Sequence, residues 1–85
     1  MVKELKFIKG FDNYYDLEEF INGGKIINHH EDVEEEGEYP DWVTFHEETT
    51  IIKKGGKLYQ IDEFYESNID FSVFNYHTDV YEIIE

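Results

Sequence analysis

The chain contains no cysteine, no arginine and no alanine. Without cysteine it has neither disulfides nor thiolate metal sites. Without arginine it has no guanidinium fork to clamp a phosphate or carboxylate at two points. G-x-S-x-G and a glycine-rich phosphate loop are missing too, which leaves little from which to build a catalytic centre. The expectation is therefore a protein that is not an enzyme and that uses no cofactor and no metal. No apolar run reaches 18 residues, and MVKELKFIKG lacks the apolar centre of a signal peptide. This predicts a soluble, cytoplasmic protein that does not engage a membrane. Leucine occurs only three times in 85 residues, and the apolar positions go to Ile, Phe and Tyr, which favours strands. The length suits one domain, residues 1–85, with one modest core and a narrow stability margin.

What the chain does have is negative charge: 21 acids against seven lysines, net −14. Residues 1–30 are nearly balanced, with five acids and four lysines. Residues 31–48 then carry nine acids and no lysine. Lys53, Lys54 and Lys57 form a short basic stretch, and residues 58–85 add seven more acids. Such a surface repels nucleic acid and anionic membrane and attracts basic protein surfaces.

Val2 to Lys9 reads as a first strand, broken by Gly10. Asp12-Asn13 offers N-cap chemistry, with Asp16 and Glu19 as a second capping candidate. Tyr14, Leu17, Phe20 and Ile21 recur at helical spacing, and Asn22-Gly23-Gly24 ends the helix. Lys25 to His30 reads as a second strand. Gly37 and Pro40 mark irregular backbone through Glu31–Asp41. Trp42 to Glu48 alternates as a strand, and Thr49 to Lys54 either follows a bend or continues it. Gly55-Gly56 predicts a two-residue hairpin in which Lys54 faces Lys57, Ile52 faces Tyr59 and Thr50 faces Ile61. Glu66-Ser67-Asn68 reads as a turn and Phe71 to His77 as a strand. Thr78-Asp79 reads as a bend, and Val80 to Ile84 as a strand or short helix. The fold class is α+β: a small antiparallel β-sheet of four to five strands with one α-helix packed on one face.

The acidic run supports two readings. It is either a solvated loop or a surface that imitates a nucleic-acid backbone, a regular lattice of negative charge. In an extended segment, side chains two apart on one face lie about 6.6 Å apart, and Glu34, Glu36 and Glu38 have that spacing. Asp32, Glu34, Glu36 and Gly37 imitate the start of an EF-hand loop, but position twelve is Val43 where a bidentate Glu is required. Strand pairing would bring His46 near His29-His30-Glu31-Asp32, yet adjacent strand residues point to opposite faces, so His29 and His30 would not share one ion. Ordinary strand histidines are the expectation. Tyr39, Trp42, Tyr65, Tyr76 and Tyr81 stand among carboxylates, either as core or as anchors of an interface.

In small size, in the dense EDVEEEGEYPD run and in the acidic tail from Asp62 to Glu85, the chain resembles the small acidic inhibitors that bacteriophages and other mobile elements encode against host defence. These include the anti-CRISPR and anti-restriction DNA mimics. The resemblance implies a partner that is a basic nucleic-acid-binding protein, such as a CRISPR effector that reads its PAM with arginines, or a restriction enzyme. It implies no direct contact with nucleic acid. The residues implied for partner binding are Glu34, Glu35, Glu36, Glu38 and Asp41, with Tyr39 as an aromatic anchor, then Asp79 and Glu82. The rival is a small interaction or assembly protein, a homodimer or larger homo-oligomer included. In it the acids only solvate the surface, and a sheet edge or the Trp42–Phe45 face makes the contact.

Overall fold

The computed structural model describes residues 4–38, 41–70 and 72–84. Its elements follow in the order β1 (Glu4–Phe11), α1 (Tyr14–Ile21), β2 (Lys25–Glu36), β3 (Val43–Lys54), β4 (Lys57–Asn68) and β5 (Val73–Ile84). Gly55 and Gly56 sit at φ 60° and 79°. Two successive left-handed residues make the primed turn whose twist matches that of its flanking strands. The register is the expected one, with Lys54 opposite Lys57, Ile52 opposite Tyr59 and Thr50 opposite Ile61. β2 and β5 pair outside β3 and β4, and β1 pairs with β5, giving an antiparallel sheet of order β1-β5-β4-β3-β2. The first strand and the second therefore form opposite edges, and α1 carries the chain between them across one face.

The helix starts where the side chain of Asn13, in extended backbone, accepts the Asp16 N–H at 2.9 Å. It closes where Gly23 takes φ 85° and the Gly24 N–H donates to the Ile21 carbonyl at 2.8 Å. Its last turn holds no basic residue of its own. Lys54 supplies one from β3, donating to the Phe20 carbonyl with Nζ 5.4 Å from the Phe20 ring. A cation at that end complements the helix dipole. Leu17 of α1 is buried against Phe11, Ile52, Ile61 and Val80, with Phe20, Ile21 and Tyr59 around them. The Phe20 ring lies 5.8 Å from that of Phe11 and 5.6 Å, edge-on, from that of Tyr59.

An eight-residue helix is about 12 Å long, whereas a twelve-residue strand spans about 40 Å. The helix thus covers only the hairpin end of the sheet's inner face. Among the described residues no helix covers the other end of that face or the outer face.

Several local expectations give way to sheet pairing. Gly10 lies within β1, opposite Asp79. The strand that begins at Lys25 runs on through Glu36. Trp42 precedes one unbent β3, and Glu66, Ser67 and Asn68 belong to β4. The turn comes later, with Asn68 Oδ1 accepting the N–H groups of Asp70 and Ser72 at 3.0 and 3.1 Å. Thr78 and Asp79 lie in an unbent stretch of β5, which settles Val80–Ile84 as strand. The irregularities are instead register shifts beside Ile8, Ile27 and Tyr65. Val2 and Phe71, the expected starts of two strands, lie outside the described residues. No helix among the described residues is long and apolar enough to cross a membrane.

Leu17, 1 % exposed, ties the helix to the sheet. Replacing it with alanine is expected to cost about 2–5 kcal/mol, read as a lower urea midpoint at unchanged slope. An unchanged midpoint would remove the helix from the core.

Candidate functional site

β2 is an edge strand, and every residue in it is exposed. Its pairing with β3 places Glu34 opposite Phe45, Asp32 opposite Glu47 and Glu36 opposite Val43. These alternate with Glu31, opposite Glu48, and Glu35, opposite Thr44. Because strand side chains alternate, Asp32, Glu34 and Glu36 point to the open outer face. Glu31 and Glu35 point to the inner face, the side of Ile52 and the helix.

The expected cluster is therefore divided. Glu34 and Glu36 stand together, while Glu35 looks the other way. Glu38 lies past the strand, because Gly37 at φ 93° ends it and the Asp41 N–H donates to the Glu38 carbonyl at 2.7 Å. Glu38 and Asp41 thus form the turn at the strand's end, and Glu38 does not continue the rhythm of Glu34 and Glu36. Tyr39 lies outside the described residues. Asp79 accepts from His77 Nε2 at 2.9 Å, far across the sheet. Glu82 pairs with Lys57 at 3.4 Å, at the hairpin end, and so does not join the acidic array. Asp32, Glu34 and Glu36 stand on a strand, which excludes an EF-hand loop.

Other acids join Glu34 and Glu36 on the outer face. Glu66 pairs with Phe45 from the far side of β3, and Glu47 stands beside Phe64. A depression of about 340 Å³ opens there, with the carboxylates of Asp32, Glu34, Glu47 and Glu66 around Phe45 and Phe64. Asn75, at φ 54°, donates to Glu66 at its edge. An acidic rim over an aromatic floor suits an extended cationic side chain, whose stem packs on the rings while its head meets carboxylates.

The inner face, beyond the helix, holds a different arrangement. His29 and Glu31 of β2 stand beside His46 and Glu48 of β3. His29 Nε2 is 3.2 Å from Glu48 Oε1, and His46 Nδ1 is 3.7 Å from Glu31 Oε1. The Tyr65 hydroxyl donates to Glu48 Oε2 at 2.7 Å, and its ring stacks on that of His46 at 4.4 Å. Glu63 continues the row beyond Glu48 and accepts from the Tyr76 hydroxyl at 2.8 Å. Burial pushes the Glu63 carboxyl above its ordinary range, opposed by the Tyr76 bond and reinforced by Glu48. Burial and the acceptor carboxylates likewise raise Tyr65 and Tyr76 well above the ordinary tyrosine value, keeping both hydroxyls as donors. As the sequence suggested, His29 and His30 point apart, and His30 meets Asp32 on the outer face at 3.2 Å.

No protein-family model, no curated protein and no solved structure matches this chain. The site rests on its own geometry. Sequence reasoning missed Glu47, Glu66 and Phe64, and named Phe45 only in the contact face of the rival reading, because these residues adjoin Glu34 only through the pairing of three strands. It brought His46 near His29-His30-Glu31-Asp32 by strand pairing but passed over Glu48, whose His-x-Glu at residues 46–48 repeats that of residues 29–31.

His77 is held by Asp12 at 3.4 Å and by Asp79 at 2.9 Å. The Asp12 bond, with Asp79, raises its pKa above the ordinary 6.5. The folded chain then binds this proton more tightly than the unfolded chain. The associated stability is complete below 6.5 and is lost as pH rises through the folded value. Lowering the pH from about 8 to about 6 is expected to raise the melting temperature more in the native chain than in His77→Gln. Equal responses of the two would contradict the pairing.

Proposed function

We propose that the protein is a non-enzymatic inhibitor that imitates nucleic acid and occupies the basic cleft of a nucleic-acid-binding protein. The observation that carries this reading is the ordered acidic strand. Asp32, Glu34 and Glu36 face one side at strand spacing, about 6.6 Å apart, on the scale of successive phosphates along one nucleic-acid strand. Glu47 and Glu66 widen the row to the far side of Phe45. A row that is already extended needs little ordering on binding, which favours affinity. Its charge draws a basic partner in rapidly and with strong salt dependence. The likeness to phage and mobile-element inhibitors makes a defence nuclease of the host cytoplasm the partner of choice, either a CRISPR effector or a restriction enzyme. Its arginines would meet the acidic rim before DNA arrives.

A second reading has its own observation. At the hairpin end of the outer face, Leu5 and Phe7 are 49 % and 56 % exposed, and Phe7 stands edge-on to Tyr81 at 5.8 Å. An apolar patch of this kind favours an assembly protein that pairs with a second copy of itself. Association through it would persist in high salt, whereas contact through the acidic rim would not.

The test compares three baits in a host lysate at low salt: the native chain, Glu34→Lys with Glu36→Lys, and Glu35→Lys. The native chain and the Glu35 variant should retain the same Lys/Arg-rich nucleic-acid-binding protein, which DNA and high salt release. The double reversal should weaken the complex about tenfold or more, equivalent to about 1.4 kcal/mol. Equal retention by the double reversal would defeat the proposal.

A further inference from the structure

Four side chains cluster on the inner face, with the two histidines at the far corners, His29 opposite Thr50 and His46 opposite Val33. β2 contributes His29 and Glu31, and β3 contributes His46 and Glu48. Glu31 lies directly opposite Glu48, and each histidine stands diagonal to the carboxylate of the other strand. Two carboxylates directly opposed on neighbouring strands destabilise a sheet unless something neutralises them. Glu63 follows in the same row, opposite Glu48. The chain offers no lysine between Lys25 and Lys53 to do it.

The ring nitrogens are arranged in a consistent way. His29 Nδ1 is engaged by Thr50 Oγ1 at 2.8 Å, which leaves Nε2 facing Glu48. His46 Nε2 is engaged by Ser67 Oγ at 2.9 Å, which leaves Nδ1 facing Glu31. His46 Nδ1 is shut off from solvent and has no hydrogen-bond partner. An orphaned buried nitrogen is costly unless some other group occupies its lone pair. Glu48 is oriented in turn, since Tyr65 holds Oε2 and leaves Oε1 toward His29. Outer partners thus fix which atom of His29 and of Glu48 faces inward, as outer hydrogen bonds do at metal centres, and His46 Nδ1 stands behind Glu31.

Distances agree with this. Metal bonds of about 2.0–2.2 Å in tetrahedral geometry place ligand atoms about 3.3 Å apart. The His29–Glu48 separation of 3.2 Å matches that edge. Donor atoms of His29, Glu31 and Glu48 all fall within 4.8 Å of one another, so small rotamer changes would close the set. We propose that His29, Glu31 and Glu48 form a binding site for one divalent transition-metal ion of the zinc class. An imidazole with two carboxylates favours such an ion over magnesium or calcium, which prefer oxygen alone. Its charge of +2 cancels the opposed pair Glu31 and Glu48. The site faces away from Glu34 and Glu36, so it stands or falls independently of the proposed function.

The experiment strips the full chain with a chelator and titrates it with Zn²⁺ by calorimetry, with Mg²⁺ as the comparison ion. The expected result is one Zn²⁺ per chain, a rise in melting temperature, and no comparable Mg²⁺ response. The imidazole resonances of His29 should shift while those of His30 and His77 stay. His29→Ala should weaken binding at least tenfold. Glu31→Gln, at a half-exposed position whose packing is not at stake, should do the same. Thr50→Val should cost about 10–100-fold through loss of the outer hydrogen bond. His30→Ala and Asp32→Asn, on the opposite face of the same strand, should bind as the native chain does. Absence of saturable Zn²⁺ binding, equal binding of Mg²⁺, or binding that survives both His29→Ala and Glu31→Gln would overturn the proposal.

Discussion

The register of the β3–β4 hairpin is the constraint on which the structure depends. Two left-handed glycines at its tip allow only one pairing, Lys54 with Lys57, and everything outward from there is counted in twos. Slipping by one residue would move Ile52 and Ile61 from the core to the open face and bring charged neighbours into their place. β2 takes its own register from β3, so the same count decides which acids share a face. Glu34 and Glu36 meet Glu47 and Glu66 on one side. Glu31 meets Glu48 and the two histidines on the other.

A chain of net charge −14 folds here because its charges lie mostly at an edge and on open faces. There they are screened by salt and water rather than buried. A charged edge strand also blocks the edge-to-edge pairing with other chains to which an exposed strand is prone. The cost is greatest on the inner face, where Glu31, Glu48 and Glu63 run in a row across three strands. Tyrosine hydroxyls from Tyr65 and Tyr76 and the imidazole of His29 meet that row and offset part of its repulsion. The short helix serves only the other half of this face. That is why the core is small and why so much polar chemistry stands uncovered beside it.

What could be read from the sequence was whatever local chemistry decides. The Gly55-Gly56 turn, the Asn13 cap, the α1 periodicity and the class of a helix-covered antiparallel sheet all follow from residues a few positions apart. The acidic segment was not legible as a strand, because charged side chains are depleted in strands and HHEDVEEE has no apolar alternation. Its order comes from backbone pairing with residues 43–54, which no local signal reports. Glu66-Ser67-Asn68 has turn composition but is extended because β3 and β5 flank it on both sides. Glu35 was grouped with Glu34 and Glu36 by proximity in sequence, and strand alternation divides them. The inner cluster required the β2–β3 register, and composition says nothing about that pairing.

The central claim is that the acids of β2 are held in an extended strand paired to β3. Amide hydrogen exchange through residues 31–36 at low salt tests it most directly. The account predicts slowed exchange at every second amide, as an edge strand bonds to its single neighbour through alternate residues. Uniform exchange at the rate of an unstructured chain would contradict it, since the carboxylates would then have no fixed arrangement to offer a partner.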